Sequence, residues 1–402
     1  MLDARPVNLL ELHPDFATDP YPAYAALRER GPVHRVTTDG EESFWLVVGH
    51  EAARVAYTHP RLSRDWRRYG ALATGLPTPT TLENPGNAHM LLADPPDHTR
   101  LRRLVSREFT PRRVATLAPG IQELTDRLVD AMLEAPERRA DLVDAVAFPL
   151  RLTVICELLG VPDIGREAFR RWSDEVVAPT SGDSARAAHR EAVAHLTGLI
   201  AAKRTDPGPD LLSALIHTVD DEGDRLSEDE LLSTAFLLLI AGHESTVNFL
   251  CNGISALFSH PEQLAALRSG PDTLLEGAIE EMLRYDSPVE TSTPRIAVED
   301  ADICGSVVPA GGVVLIAAAD AGRDPARYDR PESFDIRRGG RGHLSFGHGA
   351  HFCLGAPLAR LEGRIVLRTL LTRLPGLAPD GPPADRLSSL VPRGIRRLPV
   401  RW

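Results

Sequence analysis

The spacing of apolar side chains divides this chain into a helical majority and a smaller part with strand character. A helix is predicted over Pro22–Arg30, broken by Gly31-Pro32. Phe44-Trp45-Leu46-Val47-Val48 is a continuous apolar run closed by Gly49, the pattern of a buried strand. Residues 67–93 are rich in Gly, Pro, Thr and Asn and show no period, which predicts a long loop of the kind that often carries function. From Asp97, just past Pro95-Pro96, Leu101, Leu104 and Val105 recur at helical spacing. Further helices are predicted at about 120–134, 149–160, 164–177 and 185–203.

Ser227, followed three residues later by Glu230, is a capping box that opens an unusually long helix, to about Phe258. Another helix runs from about Asp272 to Tyr285. Ile303, Val307-Val308 and Val313-Val314-Leu315 flank Pro309-Ala310-Gly311, a strand-turn-strand signal. Residues 323–352 are irregular, a last helix runs from near Cys353 to about Leu374, and short strand-like pieces close the chain. With no internal repeat and no low-complexity linker, the expected fold class is mainly α with a minor β portion, one domain over 1–402.

Composition narrows the function classes. The 402 residues are 43% apolar and 25% charged, ordinary for a globular protein. The net charge of −11 argues against a nucleic-acid binder, which needs a basic face. Lys203 is the single lysine among the basic residues, a bias that runs along the whole chain. Cys156, Cys251, Cys304 and Cys353 are far apart and contain no CxxC pair, so a disulfide framework is not expected and a cytoplasmic location fits. No leader pattern begins the sequence, and no window approaches 18 uninterrupted apolar residues, so no membrane span is expected.

The chemistry concentrates in Phe346-Gly347-His348-Gly349-Ala350-His351-Phe352-Cys353-Leu354-Gly355. Glycines let a backbone turn and approach a flat ring closely. A cysteine at the start of a helix lies near unpaired N–H groups, which favour thiolate. A thiolate ligand pushes electron density onto haem iron. Two blander readings stand beside this one. Cys353 alone would be a buried structural cysteine, and His343, His348, His351 and Cys353 could hold zinc, although at spacings unlike familiar zinc motifs.

The segment resembles the haem-binding signature of the cytochrome P-450 superfamily, Phe-x-x-Gly-x-x-x-Cys-x-Gly, at all four fixed positions: Phe346, Gly349, Cys353 and Gly355. The resemblance implies a triangular-prism-like fold with a long central helix over haem b, and Cys353 as the iron ligand. Two further stretches match the family in order. Glu281-Met282-Leu283-Arg284, by itself a commonplace helical ion pair, resembles a structural Glu-x-x-Arg pair that is joined by a later arginine, here expected to be Arg337. Ala241-Gly242-His243-Glu244-Ser245-Thr246, within an apolar helix where a carboxylate is costly, resembles the oxygen-activation motif. It implies space for dioxygen at Gly242 and proton relay by Glu244 and Ser245. Ser245 stands where the family usually has Thr, losing the methyl that fixes the rotamer. Thr246 lies about 100° round the helix and is not expected to substitute.

His98 and Arg102, at i,i+4 after Asp94-Pro95-Pro96, together with Arg295 and His351, match the positions that hold haem propionates. Phe236, Leu237, Ile240, Ala241, Val289 and Val391 fall in substrate-facing segments, and their apolar character predicts an uncharged substrate of moderate to large size. The resemblance is nearest to macrolide and other secondary-metabolite hydroxylases. It implies electron supply by a ferredoxin and an NAD(P)H-dependent reductase, docked on arginines such as Arg102, Arg103, Arg112, Arg113 and Arg360. A monomer is expected. Two alternatives keep the haem: a non-catalytic sensor or partner protein, and a peroxide-using enzyme. Both tend to lose the acid–alcohol pair that Glu244-Ser245 retains.

Overall fold

The computed structural model describes residues 5–38, 43–65, 67–68, 87–161, 168, 170–172, 175, 180–219, 223–382, 384–387 and 389–402. Its axis is the helix Glu228–Ser259, 32 residues long. The capping box forms as the sequence implies: Ser227 Oγ accepts the Glu230 N–H at 3.3 Å, and Glu230 Oε2 accepts the Ser227 N–H at 2.9 Å. Helices Phe148–Leu159, Gly182–Thr205 and Pro271–Tyr285 pack around it. Being enclosed, it is apolar on more than one face. By length and a mean hydropathy of 1.3 it is long and apolar enough to cross a membrane, yet 69% of its most apolar window is buried inside the protein, as befits a core helix.

The helix Ala356–Arg373 completes the main core against Ala118–Glu134 and Pro271–Tyr285. A six-stranded mixed sheet among the described residues lies to one side. Its order is Val7–Asn8, Val33–Thr37, Phe44–Val47, Val313–Ile316, Arg295–Ala297, Leu62–Ser63. The predicted strand Phe44–Val47 sits mid-sheet, paired antiparallel with Val33–Thr37 and parallel with Val313–Ile316. The strand-turn-strand expected around Pro309 divides: the hairpin of Ala301–Ile303 and Ser306–Val308 turns at Cys304-Gly305, and the turn at 309–312, closed by the Gly312 N–H on the Pro309 carbonyl at 3.0 Å, leads Val313–Ile316 into the larger sheet instead.

Most long helices lie within a few residues of their expected ends. The Gly182–Thr205 helix starts earlier than 185 because Ser181 caps it. The short helices His50–Thr58, Pro111–Thr116, Leu211–His217 and Pro261–Ser269 had no period long enough to read; local caps start two of them, from Thr110 and Asp210. Most of the helix expected at 164–177, and residues 69–86 of the expected loop, lie outside the described residues. Met90–Leu92 in that loop forms a 3-10 turn. The lone lysine is buried, with Lys203 Nζ 2.6 Å from Asp210 Oδ2.

Candidate active site

The cysteine segment folds into a tight loop through its own backbone. Cys353 N–H donates to the Phe346 carbonyl at 2.9 Å, and Phe352 N–H to the Gly349 carbonyl at 3.0 Å. Gly349 has φ +73°, and a Cβ there would meet Thr58 Cγ2 at 2.7 Å, so the turn needs glycine twice over. Cys353 ends this loop three residues before the helix Ala356–Arg373. Burial pushes its thiol up; the Gly355 and Ala356 amides and the guanidinium groups of Arg102 and Arg151 oppose that. The residue lies deep in the protein yet is accessible, because its surface opens on an internal cavity of about 300 Å³.

This cavity collects the expected residues from distant segments. Phe346, Gly355 and Arg102 line it on the cysteine side, and Leu237, Gly242, Ser245 and Val289 on the other. Thr246 lines it too, buried beside Ser245, because the cavity wraps more of the helix than the 100° separating them. Glu244 is half-buried next to this wall. Phe236 and Ile240 are buried but do not line the cavity; they sit one helical turn apart, and the Phe236 ring contacts His189 at 4.7 Å on the helix Gly182–Thr205. Val391 is likewise not on the wall. Its carbonyl accepts the Glu290 N–H at 2.8 Å, bracing the segment that carries Val289. The Ala241 side chain is outside the described residues.

At one end Arg64, Arg102 and His351 line the cavity, and His98 and Arg295 are buried close to them without reaching its wall. The rings of His98 and His351 lie 4.2 Å apart. Arg102 Nη2 donates to the Phe352 carbonyl at 2.6 Å. Arg295 is buried, as is Arg64, which the sequence reading passed over; Arg64 Nη2 donates to Thr293 Oγ1. Burial, then Arg64, His98, Arg295 and Arg102, push His351 down to about 2. Burial and the neighbouring Arg295 push Arg64 down to about 9. The four zinc candidates do not converge: His343 turns away to Glu280, 3.3 Å from its Oε2.

The chain matches the Cytochrome P450 family over residues 200–391. It is 53% identical to the Cytochrome P450 monooxygenase PikC of Streptomyces venezuelae over 399 residues, covering 98% of this chain and 94% of that one. The chain belongs to the cytochrome P450 family. It is 44% identical to the 6-deoxyerythronolide B hydroxylase of Saccharopolyspora erythraea, covering 96% of each. Among solved structures, the tirandamycin C-bound P450 monooxygenase TamI matches with a TM-score of 0.88 at 42% identity, over 98% of this chain and 100% of that one. This P450 is a haem-thiolate monooxygenase of the mainly α fold expected from its sequence.

The residues present fit the haem that the family implies. Both ring nitrogens of His98, Nε and Nη2 of Arg295, and Nε of Arg64 are buried and make no hydrogen bond. Such a cluster of unanswered polar groups, most of them N–H donors, is costly by itself. A pair of carboxylates at the cavity edge, which haem carries, would answer it.

The Glu281/Arg284 pair of this P450 is wholly internal. Arg284 Nη1 also reaches the carbonyls of Gly322 and Pro331 at 2.6 and 2.8 Å, and Nη2 that of Ser333 at 3.0 Å. The third member is Arg338, not Arg337: Arg338 Nε lies 3.4 Å from Glu281 Oε1, while Arg337 is exposed. Phe334 and Ile336 are buried, which turns Arg337 outward, and the turn closed by Arg338 N–H on the Asp335 carbonyl brings Arg338 back.

Proposed function

We propose that this P450 is a single domain over 1–402 that binds haem b and oxidises an apolar, uncharged secondary metabolite of moderate to large size, a macrolide-type polyketide, by hydroxylation or epoxidation. The observation that carries this reading is the cavity: one wall holds Cys353, unanswered basic groups cluster at one end, and Leu237, Leu238, Phe249 and Val289 make the rest largely apolar, its polar side chains there being the hydroxyls of Ser245, Thr246, Ser292 and Thr293 and the Glu362-paired Arg151. The names of relatives support the substrate class.

In this reading Cys353 supplies the iron ligand. Phe346, Gly349 and Gly355 shape the loop around it. His98, Arg102, Arg295 and His351, with Arg64 added, hold the propionates. A haem held there would supply dioxygen activation, one oxygen atom entering a C–H or C=C bond and the other leaving as water with two electrons from the reductase and two protons. Gly242 keeps the helix backbone free of a side chain at the cavity. The Glu244 carboxyl and the Ser245 hydroxyl pass protons toward the cavity. Leu237 and Val289 contact substrate directly, while Phe236, Ile240 and Val391 act from behind that wall.

Electrons come from a ferredoxin and its NAD(P)H-dependent reductase, and the enzyme works as a cytoplasmic monomer. Of the arginines expected to dock the ferredoxin, Arg103 and Arg112 are exposed, whereas Arg102, Arg113 and Arg360 are half-buried. Docking therefore rests on Arg103 and Arg112, and the reduction rate should fall with salt.

The decisive measurement is the spectrum of the reduced, carbon-monoxide-bound protein. A strongly red-shifted Soret band in the wild type, lost in Cys353→Ala, is expected. An unchanged band in that variant would overturn the ligand assignment. A spin-shift titration against a compound library then tests the substrate class, which fails if the best binder is small and charged.

A further inference from the structure

Arg151 is a basic residue in an apolar place. Its helix, Phe148–Leu159, otherwise presents Leu150, Leu152, Val154 and Ile155 to the core. The Arg151 side chain is 6% exposed, and that of Glu362, its partner on the helix Ala356–Arg373, is 0% exposed. Arg151 Nη1 donates to Glu362 Oε1 at 2.8 Å. Its Nε donates to the Gly242 carbonyl, and its guanidinium lines the same cavity as Ser245 and Cys353.

One polar junction thus ties three core helices together, and it does so at the turn that carries Glu244 and Ser245. Stability alone is a poor reason for it. A buried ion pair exchanged for apolar side chains of similar volume is often neutral or better. The contact is also specific in shape. A Cβ at 242 would collide with Arg151 Nη2, so the glycine that leaves room at the cavity is also the one that admits the guanidinium. In an uninterrupted helix the Gly242 carbonyl answers only the amide four residues on. Here a second donor, fixed by its own ion pair, grips it from outside.

We propose that Arg151 is a positioning residue for oxygen activation: clamped by Glu362, it holds the Gly242 carbonyl and so fixes the backbone of the turn that aims the Ser245 hydroxyl. Backbone rigidity at 242 then makes up for part of the rotamer stiffness that serine lacks beside threonine. The inference rests on reading residues 242–246 as the oxygen-activating turn.

The test uses haem-loaded protein and two variants. Arg151→Lys keeps a charge against Glu362 but replaces the planar fork with a single ammonium, which cannot keep both contacts. Arg151→Met/Glu362→Leu removes both charges and leaves nothing buried unpaired. Amide hydrogen exchange is followed by mass spectrometry over residues 240–248 in the ferric state, and the share of electrons released as hydrogen peroxide is measured during turnover.

Both variants are expected to retain haem, to exchange about two- to tenfold faster across 242–246, equivalent to one net hydrogen bond, and to release severalfold more peroxide. Adding Ser245→Thr should recover part of that loss. Wild-type exchange and peroxide release in the paired variant would overturn the proposal, leaving a purely structural ion pair, whether or not Arg151→Lys keeps its haem. If Ser245→Ala leaves peroxide release unchanged while the Arg151 variants still exchange faster, the reading of the turn fails and the brace on Gly242 stands.

Discussion

Glu281 and Arg284, one helical turn apart, bury each other completely: neither side chain has exposed surface, and two parallel hydrogen bonds of 2.8 and 2.7 Å join them. On a solvated helix such a pair stabilises by only about 0.3–0.5 kcal/mol. Here the loss of the arginine takes the donor from Glu281 Oε2 and from the buried carbonyls of Gly322 and Pro331, while Arg338 still reaches Glu281 Oε1 and the Ser333 carbonyl. Arg284→Ala should therefore cost about 3–5 kcal/mol and yield haem-poor protein. Arg338→Ala should cost roughly 1–2 kcal/mol as a partly exposed third member, and Arg337→Ala should stay within about 0.5 kcal/mol. Thermal unfolding of the three variants checks this order, and equal losses at 337 and 338 would contradict it.

Arg295 should show effects of opposite sign in two forms of the protein. Its Nε and Nη2 are buried without partners, and burial pushes its pKa down. Arg295→Met removes that burden, so the haem-free protein should gain about 1–3 kcal/mol. The haem-loaded protein should lose haem about tenfold faster or more, because a charge-assisted contact is gone. Haem transfer to an acceptor globin measures the second effect. A variant that weakens both forms would place Arg295 outside the propionate site.

Ser245 and Thr246 share the cavity wall, which allows their hydroxyls to be separated by experiment. Ser245→Ala should lower product formed per oxygen consumed about tenfold, less than a full general acid–base contribution because water substitutes in part. Ser245→Thr should raise it above wild type by stiffening χ1, and Thr246→Ala should change it little. If Thr246→Ala is the more damaging, the relay runs through 246.

Glu290 gives the stability of this enzyme an unusual pH response. Burial pushes its carboxyl up to about 7 against the pull of Arg393 and of the Tyr24 hydroxyl, which donates to it at 2.8 Å. A carboxyl raised on folding contributes fully below its unfolded value, near 4.5, and that contribution is lost as pH rises through about 7. Glu290→Gln should thus gain on the wild type between these limits, by at most about 3 kcal/mol. Asp286 behaves oppositely: Arg393 and Arg386 outweigh burial and hold it at about 2, so its contribution is lost only as pH falls below about 3.8. Urea unfolding across pH 4.5 to 7.5 decides the point, and a constant offset between Glu290→Gln and wild type would count against it.

What could be read in the sequence was what acts locally. A capping serine answers an amide three residues on, and a positive-φ glycine is required by its own turn, so the 227–230 cap and the 346–355 loop were legible. Arg64 and Arg151 were not. Each is one arginine in an arginine-rich chain, and their partners are remote: Thr293 for the first, Gly242 and Glu362 for the second. The choice of Arg337 over Arg338 failed for a related reason, since one residue of alternation decides which of two neighbours faces Glu281. Phe44–Val47 declared itself as a strand, but its period says nothing of a parallel partner some 270 residues later.

That pairing sets an order of events during synthesis. The edge of Phe44–Val47 that receives Val313–Ile316 stays open until those residues are made. At ribosomal rates of about 5–20 residues per second the delay is roughly 13–50 s. An unpaired apolar strand edge is a template for other chains. Cys353 follows later still, so cofactor capture is a late event on the ribosome, and overproduction that outruns chaperones or haem supply should yield aggregates nucleated at this edge.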